Sequence, residues 1–272
     1  MGFSARPSFH DSRPAVVDVV ARDDWVETRL TRNLMRNAKS GLHSAALITP
    51  VVVMVLYHDV RHIALFGWAL AAMLMVVGRY RLVSLYRRDY ADAGAQLQRA
   101  FIARYSWTWT LSAVVWGASV FLYFRKVPVY DQFVCLLVLV GMAGFAVGAF
   151  TACLRCFVGY INGLTFTMLA AMVWSLAVDR PLPGAVAPYA LVLLVLIYWA
   201  ILRTGGKRLN RVQRSNLELQ FDNAQLISSL TEKTHTALEA VEAKNRFIAS
   251  AAHDLRQPVH ALSLYADWLV AE

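Results

Sequence analysis

Six apolar runs, separated by short polar stretches, occupy the middle of the chain. They cover residues 41–57, 62–78, 106–124, 133–154, 157–178 and 185–202. A helix needs roughly 20 mainly apolar residues to cross about 30 Å of hydrocarbon, and each run comes close to that length. A charged residue opposes insertion, so the arginines beside the runs should lie at span ends. These are Arg79, Arg81, Arg125 and Arg155. The pattern predicts a six-helix transmembrane region over residues 41–202.

Beyond Gly205 and Gly206, which predict a helix break, the apolar positions change to heptad spacing. The first register is Leu209, Val212, Asn216, Leu219, Asn223 and Leu226. The second register is Ile227, Leu230, Thr234, Ala237, Val241, Lys244 and Ile248. The phase break between Leu226 and Ile227 resembles a stutter, which locally unwinds a coiled coil. Residues 203–245 therefore predict a coiled-coil signalling linker, with a plain spacer helix as the alternative.

The amino-terminal 40 residues carry many charges and no long apolar core, so they lack the apolar region of a cleavable secretion signal. From Pro14 to Lys39, apolar residues recur at helical spacing among charged ones. They are Val19, Val26, Leu30 and Leu34. This pattern predicts an amphipathic cytoplasmic helix beside the membrane over residues 1–40.

Composition supports a membrane protein and gives its orientation. Of the 272 residues 58% are hydrophobic and 17% charged, which does not suit a water-soluble domain. The net charge of +9 is unevenly placed, because lysine and arginine concentrate on one side of the predicted spans. That side includes both chain ends and the stretch between spans two and three, and cytoplasmic loops collect such residues. Both termini are predicted to be cytoplasmic, and the basic residues follow this rule instead of indicating nucleic-acid binding.

Three cysteines are too few for a disulfide framework. Cys153 and Cys156 form a CxxC pair at a predicted cytoplasmic turn, a spacing that supports redox or metal chemistry. No second ligand pair lies nearby, so no metal site is predicted. Inert thiols and a redox sensor remain as alternatives. The short outer loops contain His58, His62 and Asp131, which we interpret as solvated loop residues.

The second heptad register predicts where the side chain of His253 points. With Ile248 at position a, His253 falls at position f, away from a partner helix, and Gln257 lies on the same outer face. An exposed imidazole is largely neutral at cytoplasmic pH and offers a lone pair as a nucleophile. The neighbouring Asp254 can fix the ring tautomer and accept a proton. Pro258 removes a backbone donor just below this pair.

The stretch FIASAAHDLRQP, residues 247–258, resembles the H-box of sensor histidine kinases. The resemblance implies that residues 246–272 begin a dimeric four-helix-bundle phosphoacceptor domain in a homodimer at the bacterial inner membrane. It implies that His253 takes the γ-phosphoryl group of ATP, with Mg²⁺ in the complete kinase, and that Asp254 orients the ring as general base. The phosphoryl group then passes to an aspartate of a receiver domain. Many relatives carry Thr or Asn where Gln257 stands, which places phosphatase activity in question.

The sequence ends at Glu272, inside the predicted first helix of that domain, and contains no phosphate-cradling glycine-rich loop. We therefore expect this chain alone to bind no ATP and not to autophosphorylate. Two alternatives stay open. One is a non-catalytic membrane scaffold that dimerises through its tail. The other is a small transporter, although such proteins place ionisable groups inside their spans and these runs contain almost none.

Overall fold

A computed structural model describes residues 14–178 and 186–271, and every regular element within these ranges is a helix. In chain order the helices are α1 (Pro14–Leu56), α2 (His62–Leu85), α3 (Ala95–Tyr105), α4 (Trp107–Ala118), α5 (Val120–Tyr123), α6 (Val129–Phe150), α7 (Leu154–Val178) and α8 (Ala187–Ala271). A π-helix, Tyr86–Tyr90, follows α2 directly. The predicted all-helical class is confirmed. The chain divides into two compact units, residues 1–218 and 219–272, which are described separately.

Within the described residues five helices are long and apolar enough to cross a membrane, and the six-span layout stays a prediction. They are α1 from Val20, α2 with the π-helix, α6, α7 and α8. The third predicted run instead forms the shorter helices α4 and α5, which meet at Ser119. The Ser119 hydroxyl donates a 2.7 Å hydrogen bond to the carbonyl of Trp116. Such local side-chain bonds compete with the helical backbone pattern, and this one lies at the interruption.

The predicted helix break at Gly205 and Gly206 is wrong, since α8 runs through both residues. Gly206 lies against the ring of Phe157, and a Cβ atom at this position would collide with that ring. Phe157 is completely buried. The glycine therefore serves the close approach of α8 to α7 and does not end a helix.

The amphipathic half of α1 packs inside the first unit. Val26 and Leu34 are fully buried there, and Leu30 nearly so; the side chain of Val19 lies outside the described part. The polar side of the helix is held by Arg99, which donates to both Asp24 and Glu27. The apolar stripe predicted from the sequence thus packs against other helices of the chain.

The predicted cytoplasmic segments meet at one end of the first unit. Arg214 of α8 pairs with Asp23 of α1 at 3.2 Å. The Asn210 side chain donates to the carbonyl of Thr151, in the turn before α7, at 2.6 Å. Segments that the charge pattern places on one side of the membrane are therefore in mutual contact.

Glycines bring α4 and α7 unusually close together. A Cβ atom on Gly117 of α4 would lie 2.7 Å from the carbonyl oxygen of Leu164. One on Gly163 of α7 would lie 2.9 Å from that of Thr110, and Gly159, one turn earlier, also abuts Thr110. Gly159 and Gly163 form a GxxxG pattern, the spacing by which helices in membranes bring their backbones together. The α4–α7 contact is consequently a backbone-to-backbone interface.

Burial differs sharply between α7 and α8. In the apolar 18-residue stretch of α7, 44% of the residues are buried, whereas in the apolar 18-residue stretch of α8 only 6% are buried. Polar contacts nevertheless attach α8 to the bundle: the Trp199 indole donates to Asn162 at 3.0 Å, and the Tyr198 hydroxyl donates to the carbonyl of Val140 at 3.1 Å. In the single chain α7 is thus a central helix and α8 a peripheral one.

Candidate phosphoacceptor site

The second unit, residues 219–272, consists of the last part of α8. Most of its described large apolar side chains are exposed in the single chain, including those at the predicted heptad seam, whose second register continues beyond Ile248 through Leu255, Leu262, Tyr265 and Leu269. The seam members among them are Leu219, Leu226, Ile227, Leu230, Val241, Ile248 and Leu255; the seam side chains at Leu262, Tyr265 and Leu269 lie outside the described part. No part of this unit covers the described seam.

The His253 side chain is 69% exposed, and its Nδ1 atom lies 3.7 Å from Oδ1 of Asp254. This separation is longer than a hydrogen bond, so Asp254 does not hold the ring tautomer in this arrangement. Leu255 on the predicted seam is 66% exposed. Exposure in a single chain therefore does not distinguish the outer face from the seam, and the outward placement of His253 stays a prediction.

The same unit contains a second histidine with a carboxylate neighbour. The Nδ1 atom of His235 lies 3.3 Å from Oε1 of Glu239, one helical turn later. This histidine–carboxylate pair is closer than that of His253, and it is also exposed. The distinguishing feature of His253 is consequently its surrounding sequence, His-Asp-Leu-Arg-Gln-Pro, and not its carboxylate neighbour.

Helix α8 continues past Pro258 to Ala271. A proline has no backbone N–H, so it leaves the carbonyl of the residue four positions earlier, Asp254, without its helical donor. The side chain of Gln257 lies outside the described part. Its predicted role in dephosphorylation therefore stays a prediction.

The CxxC pair lies at the start of α7. Cys153 is partly exposed in the turn before the helix, and Cys156 is buried in its first turn. A hydrogen bond with the Cys156 thiol lowers the pKa of Cys153, and the backbone N–H groups of Arg155 and Cys156 act in the same direction. Backbone donors at a helix start stabilise a thiolate. Cys153 is thus distinguished from an ordinary buried thiol.

We expect iodoacetamide to alkylate Cys153 with a rate that rises with pH and reaches half its maximum at a lower pH than for a free cysteine, because the pKa of Cys153 is lowered. The thiolate is the reactive form, so the rate follows its fraction upward through the pKa, whereas a free cysteine reaches that point near pH 8.5. Mass spectrometry of the folded protein across pH 5–9 measures the rate, with Cys153→Ser as control. A rate that rises only above pH 8 would contradict the lowered pKa.

Arg79 is a functional candidate that the sequence reasoning missed. It was expected at the end of a span, but α2 continues through it to Leu85, and its side chain is only 5% exposed. Arg81 also lies within the helix, whereas Arg125 and Arg155 lie at helix ends. The signal was present in Leu82 and Val83, apolar residues that continue the run beyond both arginines.

Aromatic rings surround the Arg79 guanidinium without satisfying its donors. Its central carbon lies 4.6 Å from the ring of Trp109 and 5.3 Å from that of Phe150. Such cation–π contacts contribute about 0.5–2 kcal/mol each, while burying a charge costs several kcal/mol. The Nε and Nη2 atoms have no hydrogen-bond partner. Among the described side chains Arg79 is the one fully buried charge, and it is incompletely compensated.

Comparison with known protein families, curated proteins and solved structures gives no significant match. The interpretation of His253 consequently depends on the residues of this chain alone.

Proposed function

We propose that this chain is the membrane-embedded sensory part of a two-component histidine kinase, with His253 as the phosphoacceptor. The observation that carries the proposal is the sequence His-Asp-Leu-Arg-Gln-Pro on α8, a helix whose earlier part is apolar enough to cross a membrane. The proposed protein is a homodimer in a bacterial inner membrane. It passes its phosphoryl group to a receiver domain.

The proposed transfer needs one nucleophile and one base. A ring nitrogen of His253 forms a bond to the γ-phosphorus of ATP while the bond to the bridging oxygen breaks, and ADP leaves with that electron pair. Asp254 accepts the ring proton after a change of rotamer brings its carboxylate closer than the present 3.7 Å. ATP and Mg²⁺ are supplied in the complete kinase by an ATP-binding domain. Gln257 is the proposed position that governs receiver dephosphorylation.

The proposed topology has six spans and both termini in the cytoplasm. The α4 and α5 pair supplies the third span, because together the two helices cover most of the third apolar run. Contacts between the predicted cytoplasmic segments support this arrangement, namely Arg214 with Asp23 and Asn210 with Thr151. In the proposed orientation the basic residues of these segments face the cytoplasm.

The exposed seam supports the homodimer. A parallel second copy presents the same apolar residues at the same heights, so seam residues such as Leu230 and Val241 would pack against their equivalents. Each would remove apolar surface from water, which is the main driving force of association.

The test is the replacement His253→Gln in the complete kinase that contains this segment. With membranes given ATP labelled at the γ-phosphate, we expect the wild type to acquire acid-labile label and His253→Gln to acquire none. His235→Gln is the matched control, since His235 is also exposed and has the closer carboxylate. It should be labelled as the wild type is. Label retained by His253→Gln would overturn the assignment.

The exposed seam also favours a second candidate, a non-catalytic membrane scaffold that only dimerises. Cross-linking in membranes would show dimers in both cases. The scaffold is supported instead if dimers form and the wild-type kinase shows no acid-labile label at all.

A further inference from the structure

A cavity of about 200 Å³ lies inside the first unit, next to Arg79. Residues from five helices, α1, α2, α4, α6 and α7, line it. Most of the wall is apolar or aromatic, with Ile48, Trp116, Met142 and Phe145 as examples. The polar part of the wall comes from Arg79 together with Ser44, Ser112 and Tyr160.

The cavity thus combines an apolar wall with one unsatisfied cation. Nε and Nη2 of Arg79 are buried donors without acceptors, and none of the buried side chains in the described ranges is a carboxylate. Buried polar groups normally find partners, so donors left open beside a cavity indicate a missing acceptor. A guanidinium is best matched by an anionic oxygen group, which it binds through paired N–H donors.

We infer that this cavity binds an amphiphile with a single anionic head group, which Arg79 holds while the apolar wall receives the chain. The role of this ligand as the signal rests on the proposed kinase function, whereas its binding does not. Five helices contact the ligand, so its arrival changes the packing of most of the bundle.

The size of the cavity limits the ligand. Pockets for drug-sized ligands measure about 300–1,000 Å³, so a cavity of about 200 Å³ accommodates a smaller molecule or only part of a larger one. A free carboxylate with a short alkyl chain fits the first case. The phosphodiester of a membrane lipid presents the same single negative charge and fits the second case.

The test uses the whole chain in micelles of an uncharged alkyl maltoside detergent, which supplies no phosphodiester, titrated calorimetrically with octanoate and, separately, with uncharged 1-octanol. We expect octanoate to bind at least about tenfold more tightly than octanol, and Arg79→Gln to lose at least about tenfold in octanoate affinity. Arg81→Gln is the matched control, because Arg81 is exposed on the same helix. Its affinity should equal that of the wild type.

A second measurement distinguishes the two sources of the anion. Native mass spectrometry of the purified chain reports any phospholipid that it retains. A lipid retained by the wild type and lost in Arg79→Gln would support the lipid source, and octanoate binding without such a lipid would support the free carboxylate. The inference is overturned if Arg79→Gln changes neither octanoate affinity nor lipid retention.

Two further experiments keep the inference open to refutation. Ser112→Leu keeps Arg79 but fills the cavity, so it should also weaken binding even if Arg79→Gln fails to fold; unchanged binding in Ser112→Leu would overturn the site.

In the complete kinase, octanoate should change the acid-labile labelling of His253. Binding that persists without any labelling would reject the proposed function and leave the ligand site standing.

Discussion

Replacing Gly117 with leucine is expected to separate α4 from α7 and to lower the free energy of unfolding by about 3 kcal/mol or more. The first added carbon alone would lie 2.7 Å from the carbonyl oxygen of Leu164 and 2.9 Å from Cβ of Thr167. A backbone carbonyl in a helix cannot rotate away as a side chain can. Relief therefore requires the two helices to move apart, which opens the most extensive helix–helix contact among the described helices.

Alanine substitutions give a sharper version of this test. Glycine to alanine in a helix interior normally stabilises by about 1 kcal/mol, because alanine has less backbone entropy to lose. At Gly117 and Gly163 we expect the opposite sign, since both approach backbone oxygens. Gly148→Ala on α6 is the matched control, because a Cβ there meets nothing within 4 Å.

Denaturant titration followed by circular dichroism in detergent measures these differences. The expected order of stability is Gly148→Ala, wild type, Gly163→Ala or Gly117→Ala, and finally Gly117→Leu. A Gly117→Ala variant as stable as Gly148→Ala would show that the α4–α7 interface is not as close as described.

If the proposed kinase function holds, removing the phase break in the tail is expected to abolish the response of the complete protein to its signal. Deleting residues 227–230 joins the first register directly to the second, so that Asn223, Leu226, Thr234 and Ala237 follow one heptad. A continuous coiled coil lacks the locally unwound segment that a stutter provides. With nothing left to change phase, the activity should stay constant whether or not the signal is present.

Hydrogen bonds near the break support its role as a compliant segment. The hydroxyls of Thr231, Thr234 and Thr236 each donate to the carbonyl four residues earlier, at 2.8–3.0 Å. Such bonds slightly destabilise and bend helices. Three of them within six residues place the softened part of the helix directly after the break.

The matched control is deletion of residues 237–243, a complete heptad that leaves both registers, the break and the three threonines in place. This variant should respond to the signal as the wild type does. Acid-labile labelling of membranes with and without signal measures both variants. A normal response after deletion of residues 227–230 would reject the hypothesis that a change in coiled-coil phase carries the signal to His253.

The apolar runs predicted the positions of helices well but did not predict where a helix is interrupted. The runs at 133–154 and 157–178 correspond closely to α6 and α7. The interruption at Ser119 lies inside one continuous apolar run, so hydropathy does not register it. Gly205 and Gly206 led to the wrong prediction of a helix break. The sequence does not reveal whether a glycine ends a helix or makes room for a neighbouring ring, as Gly206 does for Phe157.

The candidate sites differ in how far sequence could reach them. His253 could be proposed as a phosphoacceptor from the sequence because the residues that support the proposal are adjacent in the chain. The cavity beside Arg79 could not, since Trp109, Phe150 and Tyr160 come together only through packing of α2, α4, α6 and α7. An arginine next to an apolar run is equally consistent with a span end and with a buried cation, and only tertiary contacts decide between them.

The contacts of Arg99 with the acidic side chains of α1 bear on the order of biosynthesis. Asp24 and Glu27 are held by Arg99, which is made some seventy residues later, after both α1 and α2. Protein chains are synthesised from the amino terminus, so the acidic side of α1 leaves the ribosome before its partner exists. The α1–α2 hairpin is therefore made first, and the contacts of Arg99 with Asp24 and Glu27 form only afterwards. Assembly at this end of the first unit is ordered in time, with the helical hairpin preceding the ion pairs.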